Sequence, residues 1–193
     1  MTKWLSHRMV ERGIIKEEEQ ELYQFGIRNG MILLLNVVTA LVIGLLTEQL
    51  AVVAVFTLSF MVLRSYTGGY HSDSRIFCYL GSNLVLLVPV YTQAVFCKTS
   101  LARLLAVLLV SAGIIFLLSP MHSKNRKLDK EEQKHFGRKA RLIAALELAV
   151  LGILWHAGQI PYAYAVYTGI CITALFMIVG KAQLWIQSHT ENG

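Results

Sequence analysis

A histidine and a cysteine seven residues apart, His71 and Cys78, belong to the one stretch of this sequence whose residue types suit covalent chemistry. A cysteine is a strong nucleophile only as thiolate, and a neighbouring imidazolium lowers its pKa from the ordinary ~8.5. The same histidine can then protonate a departing amine. The stretch runs from Arg64 through Gly68, Gly69, Tyr70, His71, Asp73 and Arg75 to Cys78, and is polar where its neighbours are apolar. On one continuous helix, seven residues place two side chains on the same face but separated by ~10.5 Å of rise. Direct pairing therefore requires a bend between them or a partner from a second subunit. Gly68 and Gly69 sit where a bend can begin, because glycine reaches positive φ without steric cost. Asp73 either orients His71 or caps the helix that follows. Taken alone, Cys78 also fits a small buried hydrophobe. Cys97 and Cys171 read as structural, and with no Cys-x-x-Cys spacing the three cysteines give neither a disulfide framework nor a zinc site. No cofactor is indicated.

The elements that must position this stretch are membrane helices. The chain is 55% hydrophobic and 16% charged, against roughly 45–50% and 25% for soluble domains. Segment length decides what the excess means. Apolar stretches are expected over 27–46, 49–66, 76–96, 101–119, 142–157 and 161–180, several of them long enough for a ~30 Å hydrocarbon layer. The fold class is thus all-α and polytopic, a single membrane domain over 1–193 with six transmembrane helices. Residues 1–26 form an amphipathic surface helix, 27–180 the bundle and 181–193 a cytoplasmic tail. The first twenty-five residues do not read as a signal peptide, since Lys3, Arg8, Arg12, Lys16 and Glu17–Glu19 interrupt any apolar core. Apolar Trp4, Leu5, Met9, Val10, Ile14, Ile15, Leu22 and Phe25 are interleaved with that charge at helical spacing, as in a helix lying at a bilayer surface or an ordinary solvated one.

Charge sets the orientation. With the N-terminus inside, sixteen of the eighteen Lys and Arg fall on the inner side, and only Lys98 and Arg103 fall outside. Both termini and the His71–Cys78 segment are then cytoplasmic. The basic balance, with pI near 9.3, needs no nucleic acid to explain it. Half of the inner charge lies in one loop, from Lys124, Arg126 and Lys127 to Arg141. Such a loop fixes topology, touches anionic lipid, or docks an acidic peptide. Glu147, inside the fifth span, is either functional or paired with Arg141 or water. The histidines other than His71 fall in tails, loops or span ends.

Arg64, Gly68, Gly69, Tyr70, His71 and Cys78 together resemble the accessory gene regulator protein B (AgrB) family of Gram-positive bacteria. Its pattern is a Gly-Gly-x-His element with an Arg seven residues before the histidine and a Cys seven after it. Two weaker similarities are Tyr23 to Ile27, at the entrance to the first span, and Ser119-Pro120 followed by Lys124 to Lys127. Met121 and His122 depart from the small apolar or acidic pair expected after the proline. The resemblance covers nearly the whole chain. It implies a membrane cysteine endopeptidase with Cys78 as nucleophile and His71 as general base and acid. Arg64 and Gly69 would be required parts of the site. The implied substrate is an AgrD-like propeptide with an amphipathic leader, a core bearing Cys or Ser, and an acidic tail, and the implied assembly is a homodimer.

On that expectation, Cys78 attacks the peptide bond before the acidic tail and His71 protonates the leaving amine. The substrate's internal cysteine then attacks the acyl-enzyme thioester and releases a thiolactone, an autoinducing peptide for quorum sensing. Thioester exchange is near thermoneutral while hydrolysis is downhill, so the site must exclude water and hold the internal nucleophile close. The competing reading is a non-catalytic carrier or export scaffold for a signal peptide, with the basic loop as its docking surface. A small-solute transporter fits less well, because polar residues at mid-span are sparse.

Overall fold

The structure, a computed structural model, describes the backbone of residues 2–68, 75–121 and 130–190. Among these residues there are helices and no strands. The chain divides into two compact units, Met1–Thr39 and Ala40–Gly193.

In the first unit, α1 (Thr2–Glu11) is followed by a turn, a short 3-10 segment at Glu17–Glu19, and the start of α2 (Gln20–Leu46). The amphipathic segment expected as one helix over 1–26 is thus broken. The reason is local: Gly13 takes φ +66°, Gly13 N–H donates to Val10 O and Ile14 N–H to Met9 O, both at 2.9 Å. This is the glycine-terminated helix end that satisfies otherwise orphaned carbonyls. A new start follows, where Lys16 N–H donates to Glu19 Oε2 at 3.2 Å and the acidic Glu17–Glu19 and Glu21 favour the positive end of the helix dipole. Within this unit Ile15 and Ser6 are buried, while Trp4, Ile14, Leu22 and Phe25 are exposed. Arg8 lies over the Trp4 ring at 4.9 Å.

The second unit begins with the last turns of α2 and continues through α3 (Leu50–Thr67), α4 (Arg75–Tyr91), α5 (Gln93–Lys98), α6 (Leu101–Leu118), α7 (Lys130–His156) and α8 (Ile160–Thr190). Among the described residues, four helices are long and apolar enough to cross a membrane: Glu17–Leu46, Leu50–Thr67, Leu101–Leu118 and Ile160–Ile186. Large apolar side chains such as Leu46, Leu109 and Leu117 stand exposed, an exterior that suits lipid rather than water. The chain reads as a multi-pass membrane protein. Hydroxyls on these helices return to their own backbone, as in Thr57 to Val53 O at 2.7 Å and Thr173 to Gly169 O at 2.8 Å, so few polar groups are presented to hydrocarbon.

The bundle is built around α8. About two-thirds of its most apolar stretch is buried, against a third of that of α3 and about a fifth of that of α6. Ala163, Ala165 and Ala174 are at most 2% exposed, and a Cβ on Gly169 would meet Ser59 Oγ of α3 at 2.7 Å. Small residues bring helix backbones together where no hydrophobic force drives helix association. One core cluster joins Leu63, Ile115, Ala144, Ile170 and Met177, from α3, α6, α7 and α8. A second joins Ala40, Phe56, Leu86 and Ile172, from α2, α3, α4 and α8.

The element expected over 76–96 ends earlier, after Tyr91. Pro89, inside α4, has no N–H to give to the preceding turn. Thr92 Oγ1 then donates to Val88 O at 2.7 Å and shares a short hydrogen bond with the Tyr164 hydroxyl. The tail expected over 181–193 is helical as far as Thr190, as an extension of α8. The helix expected over 142–157 starts at Lys130, so part of the basic loop is helix.

Candidate active site

The segment singled out for its chemistry leaves from the C-terminal end of α3 and re-enters the described structure at Arg75, where α4 begins. Cys78 therefore stands in the first turn of α4. Its side chain lies outside the described residues, as do Gly69, His71 and Asp73 and the basic-loop residues Lys124, Arg126 and Lys127.

Arg64 occupies the last turn of α3. Its Cζ lies 4.8 Å from the centroid of the Phe176 ring on α8 and 6.0 Å from that of Phe60, and one terminal nitrogen is fully buried. Stacking on an aromatic face suits a planar, weakly hydrated guanidinium. The carbonyl of Arg64 accepts the N–H of Gly68 at 3.3 Å. Gly68 ends α3 with φ 71° and ψ −151°, a backbone conformation essentially restricted to glycine. The turn-forming role expected of this glycine thus has a structural basis at the residue where the helix stops.

The structure also brings together two segments that the sequence leaves fifty residues apart. Met121 N–H donates to Thr67 O at 2.9 Å. A Cβ on Gly68 would meet Met121 O at 2.7 Å, and one on Gly137 would meet Pro120 Cδ at 3.1 Å. Thr67, Ser119 and Met121 are buried. Around this joint Tyr66 and Phe136 approach at 6.2 Å between ring centroids, Lys139 Nζ lies 5.8 Å from the Tyr66 ring, and Arg141 Nε donates to Phe116 O at 3.2 Å. Sequence reasoning noted Ser119-Pro120 but not its contact with α3. The available signal was a proline just after one helix and a glycine just after another, each leading into a polar segment.

Glu147 has a different partner from those considered above. Ser59 Oγ on α3 donates to its Oε2 at 2.9 Å. Arg141 lies six residues away, which on a helix turns the two side chains well apart, and it spends its Nε on α6. Cys97, in α5, is exposed and Cys171, in α8, is half-buried.

Comparison with known proteins gives the family. The sequence model of one family, Accessory gene regulator B, matches residues 1–179. AgrB-like protein 2 of Clostridium perfringens (strain 13 / Type A) is 25% identical over 134 residues, covering 65% of this chain and 61% of that protein. A second AgrB-like protein, from C. perfringens (strain SM101 / Type A), is 22% identical over 151 residues, covering 74% of this chain and 69% of its own length. No solved structure matches the chain. A family match that takes in the Arg64–Cys78 segment and both sides of the basic loop shows that the chain belongs to the Accessory gene regulator B (AgrB) family.

Proposed function

We propose that this protein is a membrane cysteine endopeptidase that removes the acidic tail of an AgrD-like propeptide and closes the remainder into a cyclic quorum-sensing peptide. The observation that carries the reading is the spacing Arg64, Gly68-Gly69, His71, Cys78 within a stretch matched by the family. Cys78 is the nucleophile and His71 the proton carrier. The Cys78 thiolate adds to the scissile carbonyl carbon, the C–N bond breaks, and imidazolium delivers its proton to the departing amine. The acyl group then rests on sulfur as a thioester. The propeptide's own thiolate displaces Cys78, the ring closes, and the enzyme thiolate is regenerated. Arg64 supports the site by bracing the end of α3 against α8, and the Lys124–Lys127 segment receives the acidic tail.

In this reading the chain crosses the membrane six times with both termini cytoplasmic, and α4 and α7 supply the two spans beyond the four that are long and apolar enough by themselves. The apolar part of α7, from Leu142 to His156, is about 22 Å long at 1.5 Å per residue. That is short for a ~30 Å layer, and local thinning with Arg and Lys reaching to the headgroups compensates. The whole chain is one membrane domain, α1 lies at the cytoplasmic surface, and the protein works as a homodimer.

The test is direct. Cys78→Ala in proteoliposomes abolishes tail release while membrane insertion and yield stay at the wild-type level. Tail release persisting in Cys78→Ala refutes the assignment. His71→Ala removes acyl-enzyme formation. Reaction of Cys78 with an impermeant thiol reagent added from outside would reverse the orientation.

A further inference from the structure

The joint between Thr67–Gly68 and Ser119–Met121 ties the end of α3 to the segment leaving α6, and both chemically distinctive segments of the chain depart from it. The geometry points to this joint as a positioning element of the reaction: Pro120 and Gly137 hold the point from which the chain sets out toward His71. The inference rests on the His71–Cys78 reading given above.

Three features of the joint support this. First, its bond is between backbones. Thr67 O is one of the last carbonyls of α3, which no residue of the helix itself can satisfy. It accepts Met121 N–H at 2.9 Å, with Thr67 wholly buried, so water cannot stand in for the donor and losing the bond is costly. Second, the fit is tight on both sides. Gly68 faces Met121 O and Gly137 faces the Pro120 ring, with no room for a methyl group at the first and little at the second. Third, the joint is locked into the bundle. Ala140, one turn beyond Gly137, is fully buried, and Arg141 reaches back to Phe116 O at 3.2 Å. A shift of Pro120 is thereby transmitted to Met121 and to Gly68.

Short tethers make that shift consequential. His71 lies only three residues beyond Gly68, and three residues span at most ~11 Å. The helix bearing Cys78 starts at Arg75, so His71 is tethered on one side to the joint and on the other to that helix. Displacing the joint by an ångström moves imidazole relative to thiol. Misplacement on that scale costs about 100-fold in rate. Lys124 lies three residues beyond Met121, so the same joint also sets where the basic segment begins.

The test uses full-length protein in lipid nanodiscs with a synthetic propeptide. Gly137→Ala pushes on the Pro120 ring edge and Pro120→Ala withdraws it, so the second serves if the first does not fold. Gly152→Ala on the same helix, where a Cβ meets nothing within 4 Å, is the control. The expected result is a kcat per folded molecule lowered about 10- to 100-fold, a KM within about two-fold of wild type, and an alkylation-versus-pH curve for Cys78 displaced toward the ordinary thiol near ~8.5. That curve is followed by mass spectrometry of the Cys78 peptide, and Gly152→Ala leaves it in place. Reduced yield with unchanged kcat and an unchanged curve would make the joint merely structural and overturn the inference. If His71→Ala itself leaves the curve unmoved, the dyad fails; if His71→Ala moves it and the joint variants do not, only the joint fails.

Discussion

The two ends of the helical bundle are closed by different means. At one end α5, α7 and α8 meet through aromatic side chains. Phe96 lies 4.7 Å from Tyr164, 5.2 Å from Tyr167 and 6.0 Å from Trp155 between ring centroids. Tyr167 donates its hydroxyl to Leu104 O at 3.4 Å, and Tyr164 pairs with Thr92. At the other end α3, the segment after α6, and α7 meet through a backbone hydrogen bond, two glycines and a proline. Aromatic contacts tolerate small shifts, because rings attract over a range of offsets and tilts. A backbone bond beside glycines with no spare room does not. The first end is suited to holding the bundle shut, the second to fixing a direction. The polar segment carrying His71 leaves from the second.

Substitutions at the two ends sharpen this contrast. The largest effect is expected for Gly68→Ala. A non-glycine residue at φ 71° and ψ −151° costs about 3 kcal/mol, a methyl group would stand 2.7 Å from Met121 O, and tail release should vanish. Nanodisc thermal unfolding with a cleavage assay checks both, and an active, stable alanine variant would dissolve the contrast. Phe96→Ala at the aromatic end should destabilise by about 3 kcal/mol yet leave kcat per folded molecule unchanged. A parallel fall in kcat would mean that the two ends are not separable. Gly169→Ala forces Ser59, and with it α3, away from α8. Denaturant unfolding should register about 2 kcal/mol of overpacking, with activity lowered less than in Gly68→Ala. The smallest change is expected for Tyr167→Phe, which loses the bond to Leu104 O and costs about 1 kcal/mol. Its melting temperature should shift slightly and its cleavage rate not at all.

What could be read from the sequence followed from local chemistry. Gly68-Gly69, His71 and Cys78 were recognisable because residue type and spacing are sequence properties. The apolar runs near 27–46, 49–66, 101–119 and 161–180 were legible because bilayer thickness dictates helix length. Where one residue redirects a helix, the boundary moved: Gly13 ends α1, and Pro89 precedes the early end of α4.

Which helix lies at the centre was not legible. The spans have similar hydropathy, and lipid-facing and core-facing leucines look alike in one dimension. Only packing showed that Ala163, Ala165 and Gly169 place α8 in the middle and that Glu147 meets Ser59 rather than Arg141. The contact of Thr67 with Met121 was hidden for a related reason. It joins two main-chain groups, and every residue but proline carries the same donor and acceptor. Side-chain identity and spacing therefore carried the chemistry proposed for this protein and roughly determined which segments are apolar helices. Tertiary structure alone decided which backbone atoms meet, because such bonds leave no mark on the choice of amino acid beyond the glycines that make room for them.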